Sequence, residues 1–391
     1  MKVYNGIGPV IIDPDSKKLV GNPKTITKEF HLLSIDAPCG IGFQLKTGRN
    51  CFVNNEDNST KATENSLDRL ANQIALGLNE FFNYDKNGCT LRNLFQLKMY
   101  IWSEGLGSLL AVKLRKAMEA TVKQNDIGIS ISGIILGDPL IDIIKQHQNF
   151  ASYASGRSLG TNDLYRSYLQ LETLLQVIEQ PSSATICQLY QLIFAKFNLN
   201  DMCPFDVQTS CPSVQQFISA TSNCEFFPVD PIETDLDNPL LRFLRDKLGV
   251  MQYVANTTRV FRILQSNGRG GSQDGVSSTY LDLFDPSATD QFAEAVNNTK
   301  VLLYQSQNNF LFNSISLMLY ADALRWRNYA DFIQQPTQSI LLSPPSPSNR
   351  YTMRHFGNYY KAQIFGIGGL YTYRNIYSVL RDNLFSNFVR D

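Results

Sequence analysis

Leu97-Lys98-Met99-Tyr100-Ile101-Trp102-Ser103-Glu104-Gly105-Leu106-Gly107-Ser108 is the stretch that decides the fold. Its first half, Leu97 to Trp102, reads as a short strand. Helix-type spacing begins almost at once and runs from Leu106 to Ala120. A strand that passes directly into a helix is the repeating unit of a parallel α/β sheet. The alternation recurs on both sides. Upstream, Leu67, Leu70, Ala71, Ile74, Leu78, Phe81 and Phe82 mark one face of a helix over Ser66 to Phe82. Downstream, Ser130 to Leu136 is a strand stopped by Gly137-Asp138-Pro139.

Further out, Phe30-His31-Leu32-Leu33-Ser34-Ile35 reads as a buried strand ending at Asp36-Ala37-Pro38. Lys300 to Gln305 reads as a strand and Phe310 to Leu324 as a helix. A strand over Tyr360 to Phe365 and an amphipathic helix over Ile376 to Phe388 close the chain. Between about Ser158 and Pro239 the pattern changes. Helices around Asp163–Ile178 and Ala184–Phe197 are followed by a Cys/Pro/Ser-rich stretch, and a helix over Pro239 to Leu248 returns toward the core. The expected organisation is therefore 1–157 as the first part of an α/β core, 158–239 as an inserted helical cap, and 240–391 as the second part. Asn267 to Ser278 reads as a Gly/Ser-rich loop and Ser343-Pro344-Pro345-Ser346-Pro347-Ser348 as a linker.

The 391 residues give ample length for a real core, and with 43% hydrophobic and 18% charged residues the chain is too apolar for disorder. Lys+Arg and Asp+Glu both total 35, so the basic surplus expected of a nucleic-acid binder is missing. Zero net charge also does little to keep a protein monomeric, which favours life in an assembly. The most apolar stretch, Ile127 to Ile144, is broken by Asp138 and Asp142 and does not read as a membrane span. Met1 to Gly6 shows no h-region and no presequence character.

Seven cysteines form no CxxC pair, so zinc is not expected. Four of them, Cys187, Cys203, Cys211 and Cys224, crowd together, as a disulfide remnant or as scattered thiols. Asn58, Asn256 and Asn297 open N-x-S/T sequons at near-chance frequency. Gly366-Ile367-Gly368-Gly369 and Gly268-Arg269-Gly270-Gly271 lack the spacing of a phosphate loop and read as turn glycines, so no cofactor is expected. Tyr351, Phe356, Tyr359 and Tyr360 suit a core or an interface equally.

Asp36-Ala37-Pro38-Cys39-Gly40-Ile41-Gly42-Phe43 resembles the strand-end signature D/E-x-P-A/V-G-V-G-F of the serine carboxypeptidases. Gly8-Pro9, Asp13-Pro14-Asp15 and Gly21-Asn22-Pro23 match the segment before it. Gly133 to Asp142 resembles the family's G-I-x-I-G-N-G-L-x-D turn. Phe205-Asp206-Val207 with Cys211 is similar to its Y-D-I-x-x-x-C, and Val301 to Trp326 to the stretch around its catalytic Asp. The shared order and spacing imply an α/β-hydrolase fold: a mostly parallel sheet flanked by helices, with a helical cap. The resemblance also implies that the family's first strands and its G-G-P-G turn are missing. In the cap, Cys187 and Cys211 match the family's cysteines best and imply a possible disulfide.

Such an enzyme needs a serine on a sharp strand-to-helix turn, a histidine, an aspartate and two oxyanion donors. Where the family reads G-E-S-Y-A-G, this chain reads Ser103-Glu104-Gly105-Leu106-Gly107-Ser108, so Gly105 takes the nucleophile position. Ser306-Gln307-Asn308-Asn309 stands for G-D-x-D, which puts Asn309 at the aspartate position. Gly369 takes the histidine position. Glu104 matches the glutamate that helps bind the substrate's terminal carboxylate, but its partner glutamate is replaced by Gly6. Ser103 reads as a strand residue and Ser108 as a helix residue, so neither replaces the nucleophile. Of the three histidines, His31 is expected in the core and His147 and His355 at the surface.

The expectation is a catalytically inactive serine carboxypeptidase-like protein that serves as a structural subunit of a larger assembly. The alternative is a receptor that keeps the pocket near Glu104; an active carboxypeptidase is the third reading. Its partners would be other protein subunits, including a chain that covers or completes the sheet near Phe30–Ile35 and Leu97–Trp102. An organelle such as the mitochondrion is favoured over the cytosol.

Overall fold

The structure, a computed structural model, describes residues 8–12, 19–23, 25–35, 67–83, 85–86, 89–90, 98–105, 107–125, 131–142, 285, 287–310, 312–346 and 349–366, with short pieces at 145–146, 149, 152–153, 169, 384–385 and 388–389. The chain divides into two compact units, one of 1–60, 181–277 and 368–391, the other of 61–180 and 278–367.

In the first unit, β1 (Val10–Ile12) and β2 (Leu19–Gly21) pair antiparallel. Asn22 closes the chain back onto this pair: its amide donates to the Pro9 carbonyl at 2.8 Å and its Nδ2 to the Gly8 carbonyl at 2.7 Å. A 3-10 turn, Ile26–Lys28, follows, with the Thr25 hydroxyl accepting from the Thr27 amide. Residues 31–35, expected as the body of a buried strand, form no strand, and His31 is exposed rather than in a core. Leu33 and Ile35 are 48% and 47% exposed. An apolar run has the composition of a strand, but a strand exists only through a ladder to a neighbour, which composition does not supply.

The second unit carries the sheet. Along the chain come α1 (Leu67–Asn83), β3 (Asp85–Lys86), β4 (Cys89–Thr90), β5 (Met99–Glu104), α2 (Gly107–Asn125) and β6 (Ile131–Gly137). After the intervening segment come α3 (Ala288–Asn298), β7 (Lys300–Ser306), α4 (Ser314–Ala323), α5 (Tyr329–Gln334), β8 (Gln338–Ser346), β9 (Asn349–Phe356) and β10 (Tyr359–Ile364). The six-stranded sheet has the order β5-β6-β7-β10-β9-β8, parallel from β5 to β10 and antiparallel beyond. Val301, Leu302, Leu303 and Tyr304 in β7 are all fully buried. A strand covered on both faces reads as a continuous apolar run, and each such side chain contributes roughly 1.5–3 kcal/mol.

The α1 stripe packs as its periodicity requires. Ala71, Ala75, Leu78 and Phe82 meet Leu114, Ala117 and Met118 of α2, while Phe81 turns 47% of its surface outward. Lys113 of α2 is buried between Asp68 (2.8 Å) and Asp285 (3.2 Å). Burial alone would pull its pKa down, but the two carboxylates outweigh burial and hold it above the ordinary lysine value. Below the sheet, Tyr359 gathers Phe292, Trp326 and Phe332 around it, with ring centres 4.9–6.1 Å apart. Tyr351, Tyr359 and Tyr360 are buried and Phe356 packs against the cluster that holds Tyr359, so these aromatics are core rather than interface.

The expected linker at Ser343–Ser348 is corrected. Ser343 to Ser346 lie within β8, which pairs with β9 through a register shift between Leu341 and Ser346. β8 is the last strand of the sheet order, and an edge strand tolerates proline because one side of it needs no ladder donor. The β8–β9 hairpin was therefore hidden by its own prolines. The expected cap (158–239, Leu169 apart), the helix over Pro239 to Leu248, the loop at 267–278, the Asp36–Phe43 and Phe205–Val207 motifs, and Cys187 and Cys211 lie outside the described residues.

Candidate functional site

Parallel register places the ends of β5, β6 and β7 side by side: Glu104 lies opposite Gly137, and Gly137 opposite Tyr304. Ligand sites of α/β proteins lie at this carboxyl edge of the strands. β5 ends in the expected sharp turn. Gly105 has φ 56°, the left-handed region that glycine enters without strain. Its amide donates to the Gly137 carbonyl at 2.9 Å, and its carbonyl accepts from the amides of Leu140 (3.0 Å) and Ser108 (3.2 Å). The elbow is thus built into the sheet and into the start of α2, with no side chain at its apex.

The neighbours of Gly105 are as expected. Ser103 is in β5, and Ser108 is in the first turn of α2, fully buried, with its hydroxyl unpartnered. Glu104 is 7% exposed, and its Oε1 accepts a hydrogen bond from the Tyr304 hydroxyl at 3.0 Å. That hydroxyl in turn accepts from the Trp102 indole N–H at 3.0 Å. The Tyr304 ring reaches Glu104 by crossing Gly137, where an added Cβ would lie 2.2 Å from the hydroxyl oxygen.

Asp138, directly after β6, was not singled out as a site residue, yet it organises the turn after β7. It is 3% exposed and sits at φ 41°, the one non-glycine residue with positive φ among those described. Its carboxylate accepts from the Ser306 amide at 2.6 Å, the Ser306 hydroxyl at 2.9 Å and Asn309 Nδ2 at 3.1 Å. Burial pushes its pKa up to about 7, with the charge of Glu104 acting the same way and the three donors opposing. The signal in the sequence was an aspartate between glycine and proline at a strand end, which reads first as a turn.

Asn309, fully buried, spends its amide on Asp138 and its carbonyl oxygen on the Phe312 amide at 3.1 Å. Next to it, Asn308 is fully buried with neither polar side-chain atom bonded. Gly369, expected at the histidine position, lies outside the described residues, as does His147. His355 is exposed; it pairs in register with Tyr360, near the start of β10, and stacks on that ring at 3.8 Å. It lies toward the opposite end of the sheet from Gly105. Among the described residues no three metal-ligating side chains gather, and no helix is long and apolar enough to cross a membrane.

The comparisons with known proteins agree on one family. The model of the serine carboxypeptidases matches residues 3–353. Serine carboxypeptidase-like 30 of Arabidopsis thaliana is 24% identical over 168 residues, 42% of this chain and 31% of that protein. The serine carboxypeptidase CPVL of Dictyostelium discoideum is 21% identical over 331 residues, 82% of this chain and 56% of that one. The chain thus spans between about a third and just over half of the length of these two relatives. The crystal structure of Kex1, a prohormone-processing carboxypeptidase from Saccharomyces cerevisiae, superposes with a TM-score of 0.64 at 13% identity, covering 98% of this chain and 79% of the other. Its strand-to-helix elbow, its sheet order and these matches coincide: the chain belongs to the serine carboxypeptidase family and has its α/β-hydrolase fold.

Proposed function

We propose that this chain is a non-catalytic member of the family that serves as a structural or accessory subunit of a larger protein assembly. The observation that carries this reading is the elbow itself. Gly105 offers no Oγ at the point from which the family's serine attacks, and Asn309, at the aspartate position, carries no charge to hold a histidine. The surroundings support it, because Glu104 is held inward by Tyr304 and Asn309 by Asp138. Such groups stabilise the sheet edge instead of facing a substrate.

Assembly is supported by the half-exposed Leu33 and Ile35, apolar surface that a partner chain would cover, and by the place of β5 at the end of the described sheet order. The proposed partner lies along Phe30–Ile35 or Leu97–Trp102. A second reading, a peptide or ligand receptor, is favoured by the Asn308 amide, which is buried with both polar atoms unmet. Gentle extraction followed by native mass measurement separates the two. A subunit is recovered in a particle several times larger than the chain, whereas a receptor or free monomer near its own mass overturns the assembly reading.

A further inference from the structure

Asp138 is buried, and no lysine, arginine or histidine pairs with it among the described residues. Among the described residues, the titratable groups that face it are acidic or neutral. Glu104 stands at the end of the neighbouring β5 and its charge disfavours a second one nearby. Tyr304 of β7 has its hydroxyl on Glu104 and its backbone carbonyl on the Asp138 amide at 2.9 Å. On the segment that follows, Asp142 is engaged by Lys145 at 3.1 Å and by the Thr289 hydroxyl at 2.7 Å. The turn from Ser306 to Asn313 presents only uncharged side chains.

The three hydrogen bonds to Asp138 differ in one respect. The Ser306 amide and Asn309 Nδ2 only donate, so they bond the carboxyl's lone pairs and cannot receive its proton. The Ser306 hydroxyl, at 2.9 Å, can turn and accept. A proton on Asp138 therefore has one acceptor among these three, the Ser306 hydroxyl, which faces the same carboxyl oxygen as Asn309 Nδ2.

We propose that Asp138, with the Ser306 hydroxyl as its reversible partner, is a buried proton store that makes this unit more stable in mildly acidic than in neutral surroundings. The element it governs is the turn from Ser306 to Asn313. Asp138 holds Ser306 and Asn309, Asn309 holds the Phe312 amide, and Asn313 then caps α4 through the Ser316 amide at 2.8 Å. That turn also carries unmet buried polar atoms on Asn308 and Asn313, each a cost to the folded turn.

The direction follows from proton binding. The carboxyl ionises near pH 7 in the folded chain and near the ordinary 3.8 in the unfolded one. Between those values the folded state holds one proton more, so stability falls as pH rises through the window and levels off above it. This device is independent of whether the elbow retains any catalytic role.

The test is urea unfolding of the full chain and of Asp138→Asn from about pH 5 to about pH 8. Relative to the variant, the folded-to-unfolded ratio of the wild-type chain should fall by up to about tenfold per pH unit. Parallel profiles for the two proteins would overturn the proposal. Should the variant not fold, infrared difference spectra of the wild-type chain decide. A protonated-carboxyl band that slowly exchanges with solvent deuterium and vanishes as pH rises supports the store; its absence at the acidic end refutes it.

Discussion

Tyr304 crosses Gly137 to place its hydroxyl 3.0 Å from Glu104 Oε1, so the glutamate next to the elbow is bound to the middle of the sheet. The contact depends on parallel register, which sets β5, β6 and β7 with Glu104, Gly137 and Tyr304 in one row.

Gly137→Ala should disturb this row. The new Cβ meets a fully buried ring that is fixed by two hydrogen bonds, so the ring cannot simply swing away. Overpacking of this kind costs roughly 1–3 kcal/mol. Tyr304→Phe removes the shared hydroxyl but keeps the ring, at about 1–3 kcal/mol for the buried polar partners. Urea midpoints check both. A neutral Gly137→Ala would mean that the ring has room the structure does not give it.

Loss of catalysis is expected to be complete. The purified chain should hydrolyse neither peptide nor ester substrates above buffer, and a fluorophosphonate probe should leave it unlabelled. Gly105→Ser alone should not restore turnover, since under the proposed alignment Asn309 would still stand at the aspartate position and a nucleophile without its base gains little. Labelling of the wild-type chain that disappears in Ser103→Ala or Ser108→Ala would reverse the reading.

Asp285 joins α3 to α2. It accepts from the Ser287 amide (2.8 Å), the Ser287 hydroxyl (2.6 Å), Gln291 Nε2 (3.0 Å) and Lys113 (3.2 Å). Burial pushes its pKa up, but the Ser287 bonds and Lys113 outweigh that and hold it below the ordinary aspartate value. Its contribution is therefore present above pH 3.8, the ordinary value, and is lost as acid protonates the folded form. Asp285→Ala should cost roughly 1–3 kcal/mol at neutral pH, with the difference from the wild-type chain shrinking in strong acid. Thermal melts across that range read it.

The sequence determined the order of strands and helices wherever a periodic pattern was long. The stripe of α1, the apolar run of β7 and the strand–turn–helix around Gly105 were all legible, because side chains buried on one or both faces must be apolar at fixed spacing. It also supplied the family, through the order of several short motifs. Tertiary structure decided what depends on neighbours. Residues 31–35 have the composition of a strand, yet Leu33 and Ile35 stand half-exposed, since a ladder needs a partner that no local pattern provides. The β8–β9 hairpin was masked by Pro344 and Pro345, which only an edge position makes tolerable. The state of Asp138 was beyond reach of the sequence for the same reason. Its burial, its three donors and its nearness to Glu104 join strands separated by long stretches of chain, and only the packed sheet brings them together.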